Sequence, residues 1–189
     1  MSFWPRRRPV RYRVVLGDIC RRQVDAVVNA ADRSLLGGTG VDGALRAAAG
    51  PGLSAACRAL GGLGDKPKAT PGFDLPARFV IHAAAPVHVH GMRRSDLAST
   101  YRDCVELAGE MRLASLAFPL LGAGVFGWDP EDSAIAAKEG IRRAARRARS
   151  LGEIVMVAFS PRDAAVLSEV FGVPCEETDE ARVYNAGTV

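Results

Sequence analysis

Two stretches of this chain read as apolar strand, glycine cluster, then helix, and that repetition limits the folds open to it. In the first, Ala26-Val27-Val28-Asn29 leads to Leu35-Leu36-Gly37-Gly38-Thr39-Gly40-Val41-Asp42-Gly43 and an alanine-rich helical segment. In the second, Leu116-Ala117-Phe118-Pro119 runs into Gly122-Ala123-Gly124-Val125-Phe126-Gly127 and another helical stretch. A glycine loop that restarts as a helix presents backbone N–H groups at the positive end of the helix dipole, a ready seat for phosphate. One literal G-x-G-x-x-G is a weak signal. Two of them, after two separate strands, imply two phosphates held from opposite sides, as in a nucleotide carrying a pyrophosphate.

The remaining punctuation fits an alternation of strands and helices. Strands are expected at Tyr12–Leu16, Ala26–Asn29, Phe79–Ala84, Leu116–Pro119 and Ile154–Phe159, each a short apolar run. Helical patterning covers Val41–Leu60 with a break at Gly50-Pro51-Gly52, then a helix capped by Ser95 and running to about Met111. Asp129-Pro130-Glu131 opens a basic helix, and Ser160-Pro161 opens a last one ending near Phe171-Gly172. The stretch from Gly61 to Pro76 reads as turns throughout. Strands alternating with helices imply an α/β fold with a central, largely parallel sheet, helices on both faces, and ligands at the carboxyl ends of the strands.

At 189 residues the chain is read as one domain. Residues 1–12 form a basic arm, 13–172 the folded unit, and 173–189 an acidic tail without firm structure. No apolar run approaches the ~20 residues that span a bilayer, and nothing behind the basic N-terminus resembles a signal sequence. The four cysteines lack metal-ligand spacing, so no metal is expected and a reduced, cytoplasmic setting is. The net charge of +4 collects in Arg6, Arg7, Arg8, Arg11 and Arg13, and in Lys138, Arg142, Arg143, Arg146, Arg147 and Arg149. The second group reads as the solvated face of an amphipathic helix whose Ile135, Ile141, Ala145 and Ala148 face the core. Nucleic acid is a minor alternative partner, because no aromatics interleave with these arginines.

A nicotinamide-binding Rossmann site is disfavoured. Its glycines follow their strand directly, whereas eight residues, Ala30 to Gly37, intervene here. No acidic residue stands at the end of a following strand roughly 20 residues on to hold a ribose.

With both loops placed, the sequence resembles the macrodomain family, specifically its MacroD-like branch, over roughly Arg13 to Gly172. The resemblance rests on ordered blocks: Gly17-Asp18-Ile19, Val24 to Ala31, Leu36 to Gly43, Ala48 to Pro51, Phe73 to His82, and Ala117-Phe118-Pro119 before Gly122–Gly127. It implies a three-layer α/β/α fold that binds ADP-ribose. In hydrolytic members it implies release of ADP-ribose from proteins or of acetyl from O-acetyl-ADP-ribose. No cofactor is implied. The partner implied is ADP-ribose or an ADP-ribosylated protein, with a monomeric chain and no membrane.

Carried over by position, Asp18 matches the acceptor for the adenine amino group, Ile19 adds backbone, and Phe159 matches an aromatic that stacks on adenine, worth ~1–3 kcal/mol. Local readings compete: Asp18 as a turn cap, Phe159 as core packing. Gly38, Thr39, Gly40 and Val41 match the first phosphate loop; Gly122, Ala123, Gly124 and Val125 match the second. Phe126 matches an aromatic over the distal ribose. Asp42 matches the carboxylate that orients or deprotonates the attacking water; its local reading is a helix N-terminal acid facing away from the ligand. A carboxylate beside a phosphate loop repels its ligand by about 1–4 kcal/mol, so a compensating group is expected. Asn29 reads chiefly as a strand-end amide bracing the loop.

The departures are three. Asp32 stands where active relatives carry asparagine; as a carboxylate it only accepts hydrogen bonds, and repulsion with Asp42 is expected to raise one of the two pKa values. Thr39 replaces a glycine, and Arg46 stands where relatives often have histidine. Two functional readings follow. One is an ADP-ribosyl hydrolase or deacetylase using Asp42, with Asp32 beside it. The other is a reader module that binds ADP-ribose without turnover.

Overall fold

The computed structural model describes residues 9–89 and 92–178. Seven strands form one sheet in the order β3-β4-β2-β5-β6-β1-β7. In chain order they are β1 Arg11–Leu16, β2 Ala26–Ala30, β3 Lys68–Pro71, β4 Phe79–Ala83, β5 Ser115–Phe118, β6 Glu153–Ala158 and β7 Cys175–Glu177. Only β3 runs antiparallel, against β4. The helices are α1 Gly40–Ala49, α2 Pro51–Leu60, α3 Arg94–Glu110, α4 Pro130–Ala145 and α5 Pro161–Phe171.

Strand residues alternate between two cores because successive side chains leave opposite faces of a sheet. Val14, Val28, Leu116, Phe118, Ile154 and Met156 pack with α3, α4 and α5. Val15, Val27, Val80, Ala117, Val155 and Val157 pack with Leu45 and Ala49 of α1 and with Leu53 and Cys57 of α2. The result is three layers, with both faces of the sheet covered, as continuous apolar strands require.

The helix break at Gly50 is as expected: its φ is +75°, a conformation that favours glycine, and Pro51 begins α2. The caps of α4 and α5 also match. Asp129 accepts from the Glu131 N–H at 2.9 Å, and Ser160 accepts from the Asp163 N–H at 3.1 Å. The arginine-rich end of α4 is solvated, as read, although Ile135 is only half-buried.

Three expectations are corrected. The Gly61–Pro76 stretch contains β3, an edge strand whose Pro71 sits where a missing N–H is tolerated. The tail contains β7, which extends β1 and is held by an ion pair between Arg13 and Glu176. Two of its three residues are acidic, a composition that hides a strand from propensity reading. Helix α3 starts before Ser95: Arg93 is its cap residue, and its N–H donates to the Asp96 carboxylate at 2.9 Å.

Candidate functional site

A cleft of about 330 Å³ opens at the carboxyl ends of β1, β5 and β6. Gly17, Asp18 and Ile19 come from the end of β1, Val157 and Phe159 from the end of β6, and Pro119, Leu120, Ala123 and Gly124 from the loop after β5. The first turns of α1 close it with Gly40, Val41 and Ala44, and Asp163 of α5 completes the lining. Thus the two glycine loops, far apart in sequence, face one cleft.

The first loop delivers an uncapped helix. Thr39 is the cap residue of α1 but makes no side-chain cap hydrogen bond, and Gly40 takes φ +60° to turn the chain into the helix. The leading N–H groups of α1 are therefore not consumed by a side chain. The second loop is braced from below. Tyr101 of α3 accepts from the Leu121 N–H at 2.7 Å, Ser133 of α4 donates to the Leu121 carbonyl at 2.6 Å, and the two hydroxyls lie 3.0 Å apart. Gly122, at φ +80°, wraps Trp128 so closely that a Cβ there would lie 2.7 Å from the indole. Trp128 in turn donates to the Pro86 carbonyl at 2.7 Å. Replacing Tyr101 by phenylalanine strands a buried N–H beside the loop, so a loss of about 1–3 kcal/mol is expected in urea unfolding.

Asp18 follows directly on the end of β1. One oxygen caps the turn after β1, accepting from the Cys20 N–H at 2.8 Å, while the residue also lines the cleft. Phe159 is not core: it is 76% exposed at the mouth of the cleft. Phe126 follows in the second glycine loop. It is half-buried against the larger core, and its carbonyl accepts from the His88 N–H at 2.8 Å. Val125, beside it, is 86% exposed.

Asp42 lies beneath the first loop. It is 3% exposed, and a Cβ on Gly38 would sit 3.3 Å from its Oδ2. Its Oδ1 accepts from Asn29 Nδ2 at 2.6 Å and its Oδ2 from Arg46 Nε at 2.8 Å. Arg46 also donates to the Leu35 carbonyl at 3.0 Å and to Ser54 at 3.1 Å. Here is the compensating charge expected for a carboxylate under a phosphate loop. Behind Asn29 stands His82, with Nδ1 3.1 Å from Asn29 Nδ2 and Nε2 2.9 Å from Thr70 Oγ1. Asn29 and His82 are register partners on β2 and β4 and are fully buried. Burial drives the His82 pKa down to about 4, so the imidazole is neutral.

Asp32 is engaged elsewhere. Its Oδ1 accepts from the Ser34 N–H at 2.6 Å, the Ser34 hydroxyl, and the Leu35 N–H at 3.1 Å. These bonds, the Ser34 hydroxyl first, hold its pKa below the usual carboxylate range. The expectation of a raised value from repulsion fails at Asp32, where hydrogen bonding to the charged form outweighs burial and Arg46 lowers the value further. Sequence reasoning missed His82, Thr70 and Cys57, and saw Arg46 only as a departure. The available signal was one polar residue closing each of two apolar strands, Asn29 and His82.

No group of three His, Cys, Asp or Glu residues among the described residues could hold a metal ion. No helix of the described residues is long and apolar enough to cross a membrane. Burial pushes the Cys20 thiol up to about 12 and raises Cys57 as well, which leaves neither as a ready thiolate.

The Macro domain family model matches residues 28–137, which carry the end of β2, β3 through β5, both glycine loops and the first half of α4. The chain belongs to the Macro domain family. The O-acetyl-ADP-ribose deacetylase of Klebsiella pneumoniae is 39% identical over 83% of this chain and 94% of its own length. The human ADP-ribose glycohydrolase MACROD2 is 38% identical over 88% of this chain, which spans only 41% of that relative. Among solved structures, the Trypanosoma brucei macrodomain in complex with ADP-ribose superposes with a TM-score of 0.80 at 31% identity, covering 85% of this chain and 69% of the other. As a macrodomain, this chain has the three-layer α/β/α fold, with a cleft at the carboxyl ends of β1, β5 and β6.

Proposed function

We propose that this macrodomain binds ADP-ribose in the cleft and hydrolyses mono-ADP-ribosyl-protein, O-acetyl-ADP-ribose, or both. The observation that carries the reading is the convergence of two glycine loops on one cleft, with an acceptor, Asp18, and an exposed aromatic, Phe159, at the same mouth. The adenine lies against Phe159 with its amino group toward Asp18. The diphosphate takes N–H donors from the start of α1, at Gly40 and Val41, and from Ala123 and Gly124. Gly38, Thr39, Gly122, Val125 and Phe126 frame the loops. Asp42 orients a water at the distal ribose. That water bonds to the anomeric carbon as a protein carboxylate leaves, or to the ester carbonyl as the ribose oxygen leaves. Its proton passes to Asp42 or to a substrate phosphate, and in the ester reaction on to the departing ribose oxygen.

The relatives named for deacetylase and glycohydrolase activity support an enzyme. The competing reader module draws on two features: Asp42 is buried with both oxygens occupied, and Asp32 is tied to its own turn. Incubating mono-ADP-ribosylated protein, and separately O-acetyl-ADP-ribose, with the pure chain decides between them. Release of ADP-ribose is expected; calorimetric binding with no release leaves the reader. For binding itself, Phe159→Ala is expected to cost ~1–3 kcal/mol, a rise in Kd of about five- to 150-fold by calorimetry.

A further inference from the structure

His82 touches neither the cleft nor solvent, yet it occupies the centre of a buried polar chain, Thr70–His82–Asn29, that reaches Asp42. We propose that His82 is a positioning residue for Asp42, acting through Asn29. The Asn29 amide nitrogen stands 2.6 Å from Asp42 Oδ1 and 3.1 Å from His82 Nδ1, so it donates one hydrogen to each. That arrangement requires Nδ1 to be an acceptor, which places the ring proton on Nε2, where it donates to Thr70 Oγ1 at 2.9 Å. Asn29 Oδ1 is buried without a hydrogen-bond partner. The amide is thus held by its nitrogen alone, between two acceptors, and accepts the cost of an unpaired carbonyl to do so.

Each group facing His82 fits this assignment. Asn29 from β2 and Thr70 from β3 bond the ring, and Cys57 Sγ from α2 lies 3.7 Å from Nε2. From α1, Asp42 favours the charged ring and Arg46 opposes it, and burial outweighs both. A proton on Nδ1 would turn the acceptor into a donor, set N–H against N–H at Asn29, and loosen the hold on Asp42 Oδ1. Arg46 secures the other oxygen, so His82 governs how the carboxylate is rotated about that fixed point.

The turnover arm of the test rests on the hydrolase reading, and a spectroscopic arm does not. In His82→Asn the short amide can return an acceptor to the Nδ1 position; in His82→Gln the longer one reaches the Nε2 position and serves Thr70. His82→Gln is expected to lower kcat by about 10- to 100-fold with little change in KM, and His82→Asn to restore most of the loss. Equal losses in both, or a better rescue by glutamine, would mean the ring matters only for packing and for Thr70, and would overturn the proposal. Thermal unfolding of each variant shows that the comparison is made between folded chains. Independently, long-range proton–nitrogen spectra of the unliganded wild type at neutral pH should show an unprotonated Nδ1. A proton there overturns the proposal whatever the kinetics. An unprotonated Nδ1 in a chain that releases no ADP-ribose supports the Asn29 link and sinks the hydrolase reading instead.

Discussion

Asp42→Ala is expected to reduce release of ADP-ribose by about 10²–10⁴-fold and to destabilise the fold by about 3–5 kcal/mol. The two effects have different sources. The first is loss of the carboxylate that orients water. The second arises because the Arg46 side chain is only 13% exposed and the Asp42 side chain 5%, so removing one leaves a buried charge without its counterion. Asn29 would also lose the acceptor for its amide while its carbonyl is already unpaired. Asp42→Asn does not escape the problem, since whichever way its amide turns, an N–H meets a donor at either Arg46 Nε or Asn29 Nδ2. Replacing both partners with apolar residues of similar volume separates the sources: Asp42→Leu with Arg46→Met should recover most of the stability, because a buried pair contributes little against well-packed hydrophobics. Turnover should remain lost. Urea unfolding and a release assay on the same three variants read both effects. An Asp42→Ala chain that still releases ADP-ribose at the wild-type rate would remove Asp42 from the mechanism.

Which parts of this were legible beforehand follows from how local each signal was. Strand β2, strand β4, the break at Gly50 and the caps Asp129 and Ser160 each depend on a few adjacent residues, so sequence pattern located them. Strands β3 and β7 exist because β4 and β1 present open edges to them; neither has the apolar alternation of a self-declaring strand, and only the register of the neighbours reveals them. The cleft was legible as a pair of glycine loops, and Asp18 and Phe159 came from the macrodomain resemblance, position by position. The buried chain beneath it was not. Arg46 is four residues from Asp42 on one helical face, a spacing that brings side chains together, yet nothing in the sequence says the pair is buried. His82 reaches Asn29 only across the sheet, through a register that no local pattern encodes. The partial burial of Phe126 was hidden for the related reason that a polar loop can fold its one aromatic back onto a core built elsewhere.

Acid should weaken this protein well above the range where its carboxylates protonate. With His82 at about 4 in the folded chain and 6.5 in the unfolded one, the unfolded state binds more protons between those values, so stability falls as pH drops through that window. The contribution is intact above pH 6.5 and gone near 4. A depression of this size corresponds to roughly 3 kcal/mol, a large share of the 5–15 kcal/mol typical of a domain. Asp32 and Glu176 also lose stabilising interactions in acid, but their ordinary values of 3.8 and 4.5 confine that loss to the bottom of the range. Between about pH 6.5 and 5 the slope belongs chiefly to His82. Urea midpoints measured across that interval should therefore fall for the wild type and stay nearly flat for His82→Asn, which has no proton to gain. Parallel slopes in the two proteins would mean that the ring is protonated, or hydrated, in the folded state, and the neutral histidine on which Asn29 leans would not exist.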